Sequence, residues 1–208
     1  MQIITLENKL VNLEINPALH YGILLSGGLD SAVLLYLILI EYQSKLITPK
    51  IQAFTVNDDE SSINYATEII NYVNRKFKLT LPDPIIVGDP KAHHSQIVRS
   101  GFKEIISTHR YIDFTFISLN QNPPESTTFC GLAPYRFKQS PSPELLAPFT
   151  DLIKHEIIDL IYRFDALELI DLTHTCSKHS YGRCNKCWHC NEREWAFNKL
   201  GKTDTGTN

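Results

Sequence analysis

The chain has 208 residues, of which 43% are hydrophobic and 21% charged, so it can build one α/β core and is too apolar for a disordered protein. Its formal net charge of −3 lacks the excess of basic residues that marks a dedicated nucleic-acid binder. The longest apolar run, Ala32–Ile40, is about half a bilayer span, and the first residues do not resemble a signal peptide. We therefore expect a cytoplasmic protein with no membrane partner and no strong nucleic-acid partner.

Short apolar runs alternate with helix-period segments along most of the chain. Residues 1–18 form an N-terminal extension that could be a hairpin. The alternation predicts an α/β fold, a doubly wound (Rossmann-like) parallel five-stranded sheet with helices on both faces. We expect strands at 21–25, 50–56, 83–87, 111–119 and 167–172, and helices at 30–45, 61–78, 95–106 and 151–164.

The same pattern divides the chain into regions. A nucleotide-binding domain is expected over 19–172, a metal-binding helical subdomain over 173–200 and a disordered tail over 201–208. Proline-rich residues 120–148 show no clear period and are interpreted as an irregular, functional or disordered loop.

A glycine-rich loop, Ser26–Ser31, follows the first strand and opens a helix. Its paired glycines let the backbone approach a polyanion, and the N–H groups of the first helical turn converge on that anion. Asp30 would repel phosphate unless Mg²⁺ lay between them. The alternative is an ordinary turn capped by Asp30 or Ser31. For nucleotide binding the candidates are Leu25, Ser26, Gly27, Gly28, Leu29, Asp30, Ser31 and Val56.

Ligands of open α/β sheets bind at the carboxyl ends of strands, where the strand order reverses. If that order is 3-2-1-4-5, the loop after the fourth strand faces the Ser26–Ser31 loop. Asn120 and Asn122 are therefore candidate contacts of a second substrate. His93 and His94, at a helix start, are either substrate or phosphate contacts or residues of an exposed turn.

Four of the five cysteines lie within fifteen residues: Cys176, Cys184, Cys187 and Cys190. Their spacing is typical of a closed tetrahedral Zn²⁺ site with four thiolates. Four reduced, unliganded cysteines or an iron–sulfur cluster are the alternatives. Cys130 stands alone as a buried residue or a reactive thiol.

The Ser-Gly-Gly-x-Asp-Ser loop resembles that of the PP-loop ATP-pyrophosphatases. Together with the cysteine spacing, it is similar to the 7-cyano-7-deazaguanine synthases. Ala147–Ile157 resembles that family's Pro-Leu…Leu-x-Lys-x-Glu-Ile segment, and Thr173–Ser177 its Thr-x-Ser-Cys segment. The sequence departs from the family pattern after the second strand, before the third helix and at the substrate loop, 120–124.

The resemblance implies an ATP-dependent ligase that uses Mg²⁺. Family members adenylate the carboxylate of 7-carboxy-7-deazaguanine and convert it with ammonia to an amide and then a nitrile. It implies Asp30, Ser31 and Lys154 as catalytic candidates, although a surface lysine on a helix is the more common explanation for Lys154. It also suggests a homodimer.

Two other functions fit parts of the sequence. A tRNA-thiolating PP-loop enzyme would need a persulfide-bearing cysteine, for which Cys130 is the candidate. A non-catalytic adaptor could contact a partner through the four-cysteine site at 176–190, which we call the knuckle. Such an adaptor would have no reason to retain the glycine-rich loop.

Overall fold

The computed structural model describes residues 1–56, 60–89, 94–130 and 142–206. Its centre is a parallel five-stranded sheet with the order β5-β4-β3-β6-β7, and a separate antiparallel pair, β1 and β2, precedes it. This confirms the predicted α/β class and the five-stranded parallel sheet. The strands are β1 Gln2–Ile4, β2 Leu10–Asn12, β3 Tyr21–Leu24, β4 Ile51–Val56, β5 Ile85–Val87, β6 Phe114–Phe116 and β7 Leu145–Leu146.

Helices cover both faces of this sheet. Ile23 and Ala53 point into the larger core, which α1, α2, α4, α5 and α6 share, whereas Leu24 and Phe54 pack with Ile105 of α3 on the other face. Among the described residues, no helix has the length and apolarity needed to cross a bilayer. The helices are α1 Leu29–Ser44, α2 Glu60–Phe77, α3 His94–Thr108, α4 Lys154–Arg163, α5 Glu168–Leu172 and α6 Trp188–Lys199, with a 3₁₀ turn at Pro124–Thr128.

Strand β3 and helix α1 form the middle of the molecule. Strand β3 pairs in parallel with both β4 and β6, so the strands that follow it in the chain lie on its two opposite sides. Helix α1 is buried on nearly every side, as expected for a helix that is apolar all round. The loops after β3 and after β6 therefore meet where the strand order reverses.

The fifth strand is not where the sequence predicts it. Residues 167–172 form α5 instead, and the consecutive residues Leu169 and Ile170 are both buried, which a helix turn packed against α1 and α2 allows. The edge strand is Leu145–Leu146. Backbone hydrogen bonds from Thr115 to Glu144 and from Ile117 to Leu146 hold it against β6.

The two ends of the described chain pack on the domain. In the N-terminal pair Ile3 lies opposite Val11, and Thr5 Oγ1 and Lys9 Nζ donate to the buried Glu156 of α4, at 2.6 and 2.5 Å. Residues 201–206 differ from the expected free tail. Asp204 receives hydrogen bonds from the buried Arg193, with 2.8 Å from Nε to Oδ2, so this segment is held against α6.

Candidate functional site

The glycine-rich loop is closed by its own hydrogen bonds. Ser31 Oγ donates to Gly28 O (3.0 Å) and accepts from Ser26 N (3.2 Å). Gly28 is the N-cap of α1, with no side-chain cap, so the interpretation of Asp30 or Ser31 as the cap is wrong. The first-turn N–H groups therefore stay available to an anion, as expected for a helix start that binds phosphate.

Gly27 sets the shape of the loop. Its φ of +74° lies in the left-handed region, and an added Cβ would be 2.7 Å from Tyr65 Cβ of α2. A side chain at this position is therefore excluded twice, by backbone conformation and by space. On the other side, Gly27 O accepts a 3.0 Å hydrogen bond from His174 N, so the loop is fixed between α2 and the segment that leads to Cys176.

A charged group lies beside the loop. Lys154 Nζ is 2.6 Å from Asp30 Oδ2, and Asn120 Nδ2 donates to the same oxygen at 3.1 Å. Lys154 is only 4% exposed, so its interpretation as a surface lysine is wrong. The remaining oxygens, Asp30 Oδ1 and Asn120 Oδ1, are buried and have no hydrogen-bond partner among the described residues. Such oxygens suit a cation with oxygen ligands.

Short backbone links bring these side chains together. Gln121 N donates to Leu152 O and Gln121 Nε2 to Thr150 O, both at 2.6 Å, so the loop after β6 is bonded to the segment before α4. Helix α4 then begins at Lys154, and Glu156 accepts from Ile153 N at 3.0 Å in a capping arrangement. Lys154 thus occupies the first helical position, facing Asp30 across the crevice.

One cavity of about 770 Å³ contains this charged group. The loop and Lys154 line one side of it, and Cys176 to Ser180, His189 and Glu192 line the other. Glu192, with no exposed surface, lies 3.7 Å from Lys154 Nζ through its Oε2. The cavity therefore joins the glycine-rich loop to the cysteine segment.

The predicted site residues divide into three groups. Ser26, Gly28, Leu29, Asp30, Ser31, Val56 and Lys154 line the cavity, and Asn120 touches Asp30. Leu25 is fully buried in the core, and the described lining of the cavity includes none of Leu25, Gly27 and Asn122. His93, and the side chain of His94, lie outside the described residues.

Sequence reasoning missed several residues that line this cavity, among them Tyr65, His174 and Glu192. Tyr65 and His174 line the cavity and stack with ring centroids 5.0 Å apart and planes 7° apart. The only signal for His174 is its closeness to Cys176 in the sequence. Tyr65 and Glu192 belong to helices whose rotation relative to the loop is set by tertiary packing, so they carry no local signal.

The four clustered cysteines converge. Their sulfur atoms all lie within 4.8 Å of one another, compatible with the separation of about 3.8 Å that four thiolates adopt around tetrahedral zinc. Backbone N–H groups point at these sulfurs, such as Cys187 N to Cys184 Sγ at 3.1 Å. Although burial raises the pKa of Cys187, hydrogen bonds from Ser177 and Cys190 lower it to about 6. Burial and the adjacent Cys187 raise the pKa of Cys190. This group can bind a metal.

Arg193 fixes the approach to the cysteines. Its side chain is 1% exposed and donates to Thr173 O, Thr175 Oγ1 and Ile170 O, at 3.2, 3.0 and 2.7 Å, as well as to Asp204. One guanidinium thus bonds α6 to the end of α5 and to residues 173–175. Within this segment, His174 N donates to Gly27 O of the glycine-rich loop.

The family model described as "Queuosine biosynthesis protein QueC" matches residues 126–201. The 7-cyano-7-deazaguanine synthase of Sulfolobus acidocaldarius is 36% identical over 76 residues, which are 36% of this chain and 16% of that protein. The chain is QueC-like over this C-terminal part. It thus matches a minor fraction of the curated relative's length.

Among solved structures, the U34-tRNA thiolase NcsA from Methanococcus maripaludis with its [4Fe-4S] cluster aligns over 88% of this chain and 66% of that chain. The identity is 15% and the TM-score 0.45. The range that the family model matches includes Lys154 and the four clustered cysteines.

Proposed function

We propose that the chain is an ATP-dependent carbon–nitrogen ligase of the 7-cyano-7-deazaguanine synthase type. The observation that carries the proposal is the junction of the glycine-rich loop, the Asp30–Lys154 pair and the QueC-like cysteine segment around one cavity of about 770 Å³. A cavity of this size accommodates a nucleotide, or a small carboxylic acid together with part of a nucleotide. The acid is 7-carboxy-7-deazaguanine or a close relative.

In this proposal the loop binds the ATP phosphates. The N–H groups at the start of α1 and the hydroxyl groups of Ser26 and Ser31 contact the diphosphate, as helix starts do in other phosphate sites. Asp30 Oδ1 and Asn120 Oδ1 are buried oxygens without partners, and they fit Mg²⁺. Mg²⁺ bound there would neutralise charge on the departing diphosphate. Lys154 supplies a second positive charge within reach of the same diphosphate.

The chemistry proceeds in two displacements. A carboxylate oxygen of the acid attacks the α-phosphorus of ATP, and the bond from that phosphorus to the diphosphate breaks, leaving an acyl adenylate. Ammonia then attacks the acyl carbon, AMP departs with the bonding electrons, and a proton is lost to give the amide. For a nitrile, the amide oxygen attacks the α-phosphorus of a second ATP and diphosphate leaves. Loss of AMP and of both nitrogen-bound protons then forms the carbon–nitrogen triple bond.

We assign Zn²⁺ to Cys176, Cys184, Cys187 and Cys190, as a closed structural site. Four thiolates complete a tetrahedral shell, and the N–H groups that point at the sulfurs stabilise their charge. An iron–sulfur cluster on the same ligands is the alternative. Metal analysis and the absorption spectrum of the protein purified without oxygen distinguish the two.

The test is turnover by the zinc-loaded chain. Incubated with ATP, Mg²⁺, ammonia and 7-carboxy-7-deazaguanine, it should release AMP and diphosphate and yield an amide or nitrile by mass spectrometry. Diphosphate released only with a different carboxylic acid would keep the ligase class and change the substrate. No diphosphate release with any acid, and no nucleotide binding, would contradict the proposal.

Thiolation of tRNA is the second candidate function. The specific observation in its favour is an exposed Cys130 outside the metal group, the kind of thiol that can carry a persulfide. Cys130→Ser should abolish turnover by a thiolase and leave a ligase unaffected. Cys130 is not among the described residues that line the cavity, so the ligase is the better supported function.

A further inference from the structure

Lys154 lies between two carboxylates rather than one. Its Nζ is 2.6 Å from Asp30 Oδ2 and 3.7 Å from Glu192 Oε2. The side chains of Lys154, Asp30 and Glu192 are 5%, 14% and 0% exposed. The three charges sum to −1 in a space largely shielded from water, and this favours the arrival of a cation.

In the proposed function Asp30 also binds a cation, through its buried Oδ1. In the structure Asp30 Oδ2 is occupied by Lys154 and Asn120, and a cation bound to this carboxylate would weaken the Lys154 contact. A buried ammonium left without any carboxylate beside it would be strongly destabilised. Glu192 is already close enough to prevent this.

We propose that Glu192 is a positioning residue that retains Lys154 in the site when Asp30 turns to the divalent cation of the bound nucleotide. The inference rests on the proposed function, because it assumes that nucleotide and cation bind at the loop. Glu192 contacts neither the reacting carboxylate nor the phosphates in this scheme. It acts through Lys154.

The position of Glu192 is set by the metal group. Cys187 is the N-cap of α6, Cys190 lies in its first turn, and Glu192 follows two residues later. The next residue, Arg193, is bonded on all sides by backbone and side-chain oxygens. The knuckle and Arg193 together fix the rotation of α6, and this rotation points Glu192 at Lys154.

The experiment compares Glu192→Gln with Glu194→Gln in the zinc-loaded full chain. Glu194 is on the same helix and exposed, so it is a matched control. Binding of α,β-methylene-ATP is measured by calorimetry over a range of Mg²⁺ concentrations. For Glu192→Gln we expect the Mg²⁺ concentration at half-saturation to rise about tenfold, equivalent to about 1.4 kcal/mol. The control should match the wild type.

The second readout separates positioning from general damage. Without Mg²⁺, Glu192→Gln should bind the nucleotide at least as tightly as the wild type, because a negative charge has been removed from the pocket. A distorted site would weaken binding in both conditions. Equal Mg²⁺ dependence of wild type and Glu192→Gln, or weaker binding in both conditions, overturns the inference.

Failure of the proposed function gives a different result. If the wild type binds no nucleotide with or without Mg²⁺, the proposed function is wrong and this inference with it. If Glu192→Gln does not fold or loses zinc, Glu192→Asp decides, since it keeps the charge and shortens the side chain. A rise in the Mg²⁺ half-saturation supports the role, and an unchanged value overturns it.

Discussion

The glycine-rich loop and the cysteine knuckle form two sides of one cavity, yet they are stabilised in opposite ways. The loop is fixed by backbone and hydroxyl hydrogen bonds between β3 and the largely buried α1. The knuckle has only a small buried cluster of its own, which consists of Cys176, Cys187 and Cys190 with Cys184 packed against them. We therefore expect the loop to keep its shape without a metal, and the knuckle to need the assigned metal to hold its thiolates together.

The two regions are joined by few contacts. His174 N bonds to Gly27 O, and Lys154 lies between Asp30 and Glu192. Damage to the knuckle should therefore reach the loop through these contacts, while damage to loop chemistry should leave the knuckle intact. Four predictions test that asymmetry.

The largest effect is expected from loss of the metal. Cys187→Ser removes a ligand at the N-cap of α6, so we expect loss of bound zinc and destabilisation by about 4 kcal/mol or more. Cys130→Ser is the control, since Cys130 is exposed and outside the cysteine group. Metal content and thermal unfolding are measured. An unchanged zinc content in Cys187→Ser would show that the knuckle does not bind the metal as assigned.

The next effect concerns chemistry rather than folding. Asp30→Asn removes a charge that pairs with Lys154 and is assigned to the cation, so we expect turnover to fall by about 10²–10³. Zinc content should not change. Asp151→Asn, an exposed carboxylate just before α4, is the control and should retain full activity. If Asp30→Asn released diphosphate at the wild-type rate, Asp30 would have no part in the mechanism.

The two loop glycines should separate stability from binding. Gly27→Ala forces a side chain into φ +74° and against Tyr65, so we expect a loss of about 2 kcal/mol in the free energy of unfolding. Gly28 has φ −85°, and its added Cβ would meet nothing closer than 3.3 Å, so Gly28→Ala should fold normally. Gly28 lines the cavity, however, so its variant should bind ATP more weakly. Similar unfolding curves for the two variants would contradict this.

The sequence predicted the loop side of this comparison better than the fold around it. A run of apolar residues ending at two glycines leaves few other structures possible, and Asn120 lies where the strand order 3-2-1-4-5 places it. The fifth strand was missed because two residues, Leu145 and Leu146, carry no periodicity. The apolar segment 167–172 is equally compatible with a strand or a helix until its packing is known.

The cysteine side could be predicted only in its ligands. Spacing indicates which thiolates converge, because they are close in the chain. It does not indicate that Arg193 is buried, that Glu192 meets a lysine from α4, or that Asp204 returns to bond with α6. These contacts join residues of different elements, so they depend on how the helices pack.

The smallest effect is a pH dependence at the far end of the knuckle. Although burial raises the pKa of Asp204, the guanidinium groups of Arg193 and Arg183 lower it below its ordinary value of 3.8. A carboxyl with a lowered folded-state pKa contributes stability above its unfolded value, and that contribution is lost as the pH falls through the folded value. We expect about 1 kcal/mol of folding free energy to be lost as the pH drops from about 5 to 3. This loss stays below the limit of about 1.4 kcal/mol per pH unit that binding of a single proton sets.

Asp204→Asn tests this pH dependence in chemical unfolding at several pH values. The variant should be less stable than the wild type at pH 6, and the difference should shrink as the pH falls. Asp165→Asn is the control, because the Asp165 side chain is 89% exposed and should leave the pH dependence unchanged. Zinc is kept bound throughout, so that protonation of the cysteines does not contribute. The difference in unfolding free energy between Asp204→Asn and the wild type could instead stay constant with pH. Asp204 would then act through its shape rather than its charge, and only the metal and the other hydrogen bonds of Arg193 would fix α6.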